Sequence, residues 1–442
     1  MAPEPPSQRS DELPRSTRIG YGLGSVATGS FGTVPGLLLL PYLTDRLGIG
    51  AGLAGLMVFL PKAWDVVLNP IAGRISDRST HPAGPRRPFL LRAGLLLAVL
   101  FAIMFAGPQS PTALAGGWVV VAFLACASAY AFFQVPYVAM PAELTDSYDE
   151  RTRLMTWRVA ILALAILVSG GLSPMVRDEF GYAGVGIFVG ALIAIGALAA
   201  WRGTASARMH PVVSAEGSFT EQLRIVRASR PFRFLLITFV IQALATGVML
   251  AGVDYVARNV LHDKALSSVL FVCFVGPALL VTPLWQRYAE RRDKRSGFLI
   301  SSVLLGGGAL ATLLGMHLGA VPAALAVAVV GVGYAGAQMF PMAMLPDVAA
   351  EDARRSGQNR IGVFTGVWTA GETLGLALGP FVYAAVLALG GYVSSTDGLA
   401  AQPDSAVTAI GVGFSVLPAL LVAVSLLYLM RYRLDPPTRE QR

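Results

Sequence analysis

Residues 117–141 read GWVVVAFLACASAYAFFQVPYVAMP, without one charged side chain. As a helix rising about 1.5 Å per residue this run exceeds the roughly 30 Å hydrocarbon core of a bilayer. It ends at Pro141, and acids and bases follow through Arg153. Working outward, eleven further runs of similar kind appear. The twelve predicted spans are 19–44, 51–76, 88–107, 117–140, 154–176, 182–201, 231–260, 265–285, 297–316, 320–345, 361–389 and 407–430. Pro61, Pro70, Pro136 and Pro277 fall inside them, as membrane helices tolerate. Hydrophobic residues make up 55% of the 442 and charged residues 14%, against about 25% charged in soluble domains. That excludes a soluble enzyme and a disordered chain. The 48 glycines suit helices that approach closely in lipid.

The net charge of +8 has an address. With both termini inside, 29 of the 34 Lys and Arg fall on the inner side. Arg46, Arg177, Arg258 and Lys264 fall outside, and Lys62 lies within a span. This positive-inside bias predicts an even number of spans with cytoplasmic ends. The basic loops then need no nucleic acid as partner. The polar segment 202–230, with His210, Ser214 and Ser218, divides the chain into six spans plus six. The expected plan is a tail over 1–18, a bundle over 19–201, the loop 202–230, a bundle over 231–430 and a tail over 431–442. Cys126 and Cys273 lie in apolar runs and are read as small packing residues. The first apolar run has no short core ending in a cleavage site, so it is expected to be kept.

The halves echo one another. Gly73-Arg-Ile-Ser-Asp77-Arg78 with Arg86-Arg87 follows the second span, and Arg287 through Arg295 follows the eighth. Pro136-Tyr-Val-Ala-Met-Pro141 is matched 205 residues later by Pro341-Met-Ala-Met-Leu-Pro346-Asp347. Two related six-helix halves are the plan of the major facilitator fold, whose members hold substrate near the midplane and alternate access around it. The expected fold is therefore all-α, with the substrate in a cavity between 1–201 and 231–430.

More detailed motifs are Tyr21-Gly22-Leu23-Gly24, Tyr42-Leu43-Thr44-Asp45, Trp64-Asp65 with Asn69-Pro70, and Glu150-Arg151-Thr152-Arg153-Leu154 with Arg158. Gly375-Leu376-Ala377-Leu378-Gly379 completes the set. In their order and spacing these resemble the glycoside–pentoside–hexuronide:cation symporters, over nearly the whole chain. The resemblance implies cation-binding carboxylates on the first, second and fourth spans and a Lys on the eleventh. Here those positions fall near Gly29 and at Asn69, Gln134 and Thr373, and only Asp65 matches. The expected coupling cation is accordingly a proton in preference to sodium.

Ionisable groups at bilayer depth cost about 2.5–3.5 kcal/mol on insertion scales, so each marks a candidate site. Lys62, Asp65 and Asn69 share one helix face at i, i+3 and i+7. They are read as a substrate or ion site, with a self-neutralising pair as the alternative. Tyr130, Gln134 and Tyr137 share another face, offering rings to stack a sugar and an amide to read its hydroxyls; interhelical bonding is the alternative. Glu372 shares a face with Thr365 and Trp368. Burial disfavours the charged form of a carboxyl, which suits a proton carrier. Its partner would be Arg158 or Lys62, and the alternative is a locked structural Glu. Arg158 itself either pairs with an acid or snorkels. Asp254 reads as an outer gate, and Asp77, Arg78, Arg86 and Arg87 as conformational contacts at helix ends. Gly371, Gly375 and Gly379 form a packing stripe.

The four His lack metal-ligand spacing, and no phosphate loop or Ser-His-Asp order is present. No metal, cofactor or catalytic residue is expected. The expectation is a monomeric multi-pass carrier in the lipid of the plasma (inner) membrane, moving a small sugar or glycoside. A carrier of a lysolipid-like amphiphile, or a transport-inactive sensor on the same fold, is the alternative.

Overall fold

A computed structural model describes residues 13–79, 81, 84–145, 147–205, 224, 226–357, 360–398 and 400–433. Most of the tails and of the loop with His210, Ser214 and Ser218 lie outside these. The helices are α1 Arg15–Asp45, α2 Ala51–Asp77, α3 Arg87–Met104, α4 Thr112–Ala139, α5 Pro141–Leu144 and α6 Tyr148–Gly203. They continue with α7 Arg230–Tyr255, α8 Leu266–Arg291, α9 Lys294–Leu318, α10 Ala320–Ser356 and α11 Ile361–Leu389. Last come α12 Asp404–Phe414 and α13 Val416–Leu429, parted at Ser415. No strand occurs among the described residues.

Eleven helical stretches are long and apolar enough to cross a membrane. One of them, α6, has 56 residues. At about 1.5 Å per residue it is more than twice as long as the roughly 30 Å hydrocarbon layer is thick. It breaks at Gly181, whose φ of 69° and ψ of −176° suit glycine and few other residues. The two arms replace the fifth and sixth predicted spans, so the twelve crossings are accounted for. The expected loop over 177–181 is helical except at this single residue.

Boundaries follow local chemistry. Ser147 caps α6 through the Glu150 amide, Ser229 caps α7 through that of Phe232, and Asp293 caps α9 through that of Ser296. α10 runs past the predicted end at 345 to Ser356, where Gly357 takes a left-handed φ of 70°. Its added turns are polar but helix-compatible: Glu351 pairs with Arg354 and Arg355, three and four residues on. α7 continues as a π-helical turn, Val256–Val260.

Packing divides the chain into two compact units. The first comprises 1–34, 67–108 and 117–215. In it α3 packs along α6. An aromatic row, Phe31, Phe101, Phe105 and Tyr182, has successive centroids 6.2, 5.6 and 6.0 Å apart.

The second comprises 35–66, 109–116 and 216–442. Here α7 lies along α11 and α13, and α10 along α8 and α9. The glycine stripe of α11 faces α7, as expected. A Cβ on Gly379 would lie 2.4 Å from the Cα of Gly247, so the two backbones touch where no side chain intervenes. Gln242 ties three helices, donating to Ser302 Oγ at 2.8 Å and Ser425 Oγ at 3.0 Å.

Candidate functional site

In the first unit, the expected α4 face divides in two. Tyr137 is fully buried. Its hydroxyl donates to the Tyr21 carbonyl at 2.8 Å and lies 2.9 Å from Ser25 Oγ, while Tyr21 donates to the Tyr137 carbonyl. The rings of Tyr21 and Phe133 stack on it at 4.8 and 5.7 Å. This corrects the reading of Tyr137 as an open sugar platform: it fastens α4 to α1. Tyr130 and Gln134, two turns and one turn away, are half-buried. Tyr130 leans on Phe31 at 4.4 Å, and Gln134 Oε1 is buried without a hydrogen-bond partner.

Arg158 lies with its guanidinium carbon 5.6 Å from the Tyr137 ring centroid. One terminal nitrogen reaches Met155 Sδ at 3.9 Å, and Nε is buried without a bond. No described carboxylate pairs with it. Asn69 on α2 is half-buried.

The second unit holds Lys62, Asp65 and the α11 residues. Asp65 is buried, its Oδ1 has no hydrogen-bond partner, and the charge of Lys62 acts on it. Glu372 is half-buried on α11 and makes no ion pair among the described residues. Thr373 donates to the Thr369 carbonyl at 2.9 Å. Trp368 is only 1% exposed, stacks on Phe239 at 4.3 Å, and its indole nitrogen is buried without a hydrogen-bond partner. In the same unit stands a residue missing from the sequence reading, Tyr334 of α10, half-buried and stacked on Phe274 at 5.2 Å. Gln338 donates to the Tyr334 oxygen at 3.3 Å. A signal for this pair existed: Tyr130-x-x-x-Gln134 recurs as Tyr334-x-x-x-Gln338, 204 residues on.

At another place in the same unit, Asp254 is fully buried. It accepts from Ser267 Oγ at 2.8 Å and pairs with Arg258 at 2.6 Å. Arg258, on the π-helical turn, also holds Asp45 at the end of α1, at 2.5 Å. Tyr392 donates to Asp45 at 2.8 Å, and Thr44 and Tyr255 join their hydroxyls at 2.7 Å. Burial, and then the Asp45 charge, push the Tyr392 phenol far above its ordinary range, so it stays a donor. Asp254 was legible as a candidate; its partners Arg258 and Asp45 were not.

The charges expected at helix ends sit within the first unit. Arg86 pairs with Asp77 at 2.9 Å and Glu143 at 2.8 Å, and Arg87 donates to the Trp201 carbonyl at 3.0 Å. Arg78 is exposed. A counterpart exists in the second unit, where Lys294 holds Asp347 at 2.6 Å. Arg86 thus ties the start of α3 to the end of α2 and to α5, and Lys294 ties the start of α9 to α10.

A family model described as MFS/sugar transport protein matches residues 20–436. The chain belongs to this family. It is 24% identical to an isoprimeverose transporter of Lactiplantibacillus pentosus, covering 96% of this chain and 89% of that one. It is 26% identical to a glucuronide carrier protein homolog of Escherichia coli (strain K12), covering 87% and 86%. Among solved structures, a D-xylose–proton symporter superposes with a TM-score of 0.69 at 14% identity, covering 96% of this chain and 98% of that one. The fold is the major facilitator fold, and the chain is a secondary transporter spanning the inner membrane many times.

Proposed function

We propose that the chain is a symporter that moves a sugar or glycoside together with a proton, and that it acts as a carrier and not as an enzyme. The observation that carries this reading is Glu372: a carboxyl midway along an apolar helix, without an ionic partner among the described residues. A group so placed can be neutral when protonated and must find a partner when not, which is what a proton carrier needs. The names of the isoprimeverose and glucuronide relatives support the sugar class. Gln134 and Thr373 stand where the resembling symporters carry ions, which favours a proton over sodium.

In this reading Tyr130, Gln134 and Asn69 meet the sugar hydroxyls, and Arg158, Lys62 and Asp65 supply the remaining polar contacts. Arg258, held by Asp254 and Asp45, is a latch that opens and closes one end. The arm pairs around Arg86 and Lys294 hold the opposite helix ends. The bundles 19–201 and 231–430 are the two moving halves, with 1–18, 202–230 and 431–442 cytoplasmic.

The test is transport by purified protein in proteoliposomes with an imposed pH gradient. Glu372→Gln abolishes uphill accumulation of the sugar and spares exchange of labelled for unlabelled sugar. Unchanged uphill uptake in this variant refutes the assignment.

A further inference from the structure

Resting on the sugar-carrier reading, we propose that Tyr334 and Gln338 form a second hydroxyl-reading pair, the internal-repeat counterpart of Tyr130 and Gln134, for a polyhydroxylated ring. The placement is the same in both units. Each Tyr lies one turn before its Gln within an uncharged stretch of its helix, and all four side chains are half-buried. Each Tyr ring is backed by a phenylalanine, Phe31 at 4.4 Å and Phe274 at 5.2 Å. The spacing to the following proline differs by one residue, Pro136 against Pro341.

The hydrogen bonds separate a reading pair from a structural staple. Gln242 shows what a staple looks like: its amide nitrogen bonds Ser302 and Ser425 on two other helices. Gln338 bonds only Tyr334, four residues back on its own helix, among the described residues. It therefore holds no second helix in place. Because its amide donates to the phenol oxygen, the phenol O–H is turned to donate elsewhere, and the amide oxygen is left to accept. A donor and an acceptor side by side match adjacent hydroxyls of a sugar, each of which both gives and takes a hydrogen bond. Gln134 Oε1, a buried acceptor without a donor, makes the same demand in the first unit.

The test is equilibrium binding, by thermal shift and calorimetry, of a panel of pentoses, hexoses, uronates and isoprimeverose to the full chain. Tyr334→Phe keeps the ring against Phe274 and removes only the hydroxyl. It weakens the sugar that binds the wild type about ten-fold, and Gln338→Ala does likewise, as loss of a neutral hydrogen bond requires. Melting without sugar stays near that of the wild type. A deoxy analogue lacking the matched hydroxyl binds wild type and Tyr334→Phe equally, which a merely structural tyrosine would not produce. If both variants bind every wild-type ligand unchanged, the pair is refuted while the sugar reading stands. If the wild type binds no member of the panel, both fall.

Discussion

Replacing Arg258 by Ala should open the end of the second unit that Asp45 and Asp254 close. The two carboxylates are 5% and 0% exposed and share one guanidinium nitrogen, itself on a side chain 21% exposed. Truncating one partner of a buried ion pair costs about 3–5 kcal/mol, because the remaining charge stays buried. At about 1.4 kcal/mol per factor of ten, the closed arrangement loses two to three powers of ten in population. Asp45→Asn is milder, since Arg258 keeps Asp254 and Tyr392 keeps an acceptor; about one power of ten is expected. The assay uses a background without Cys126 and Cys273 and a cysteine at Leu40, which is fully buried one turn before Thr44. Its labelling by a membrane-impermeant maleimide is timed on intact vesicles. The predicted order of rates is Arg258→Ala, then Asp45→Asn, then the parent. Equal rates in three folded proteins refute the latch.

Further outcomes follow from single contacts. Tyr137→Phe loses the bonds to Tyr21 and Ser25, lowering stability by about 1–2 kcal/mol in thermal unfolding while leaving the KM for sugar unchanged. Gly379→Val forces apart backbones that now touch at Gly247 and costs about 1–3 kcal/mol, seen as a lower melting temperature. Gln242→Leu cuts the ties from α7 to Ser302 and Ser425, whose hydroxyls keep only their bonds to the Phe298 and Val422 carbonyls, and destabilises the fold without altering sugar affinity, in contrast to Gln338→Ala.

The spans were legible because a bilayer demands length and apolarity, and both are written in the chain; α11 falls at its predicted bounds of 361 and 389. The ends of α8 and α10 were not, since pairs such as Glu351 with Arg355 extend a helix with residues that read as loop. Helical period named the faces of Tyr137 and Trp368 but not what covers them, and Tyr21 and Phe239 cover them. Asp45 and Arg258 stand 213 residues apart, and nothing local to either announces the pairing. Tyr334 and Gln338 were within reach, because the repeat that linked Pro136 to Pro341 extends back to them. Glu372 stands on α11 as read.

The most direct measurement of the central claim is sugar accumulation in proteoliposomes under a pH gradient alone and a sodium gradient alone, for wild type and Glu372→Gln. The account predicts uphill uptake driven by protons in the wild type, none in the variant, and no dependence on sodium. Accumulation driven by sodium alone, or proton-driven accumulation that survives Glu372→Gln, would contradict it.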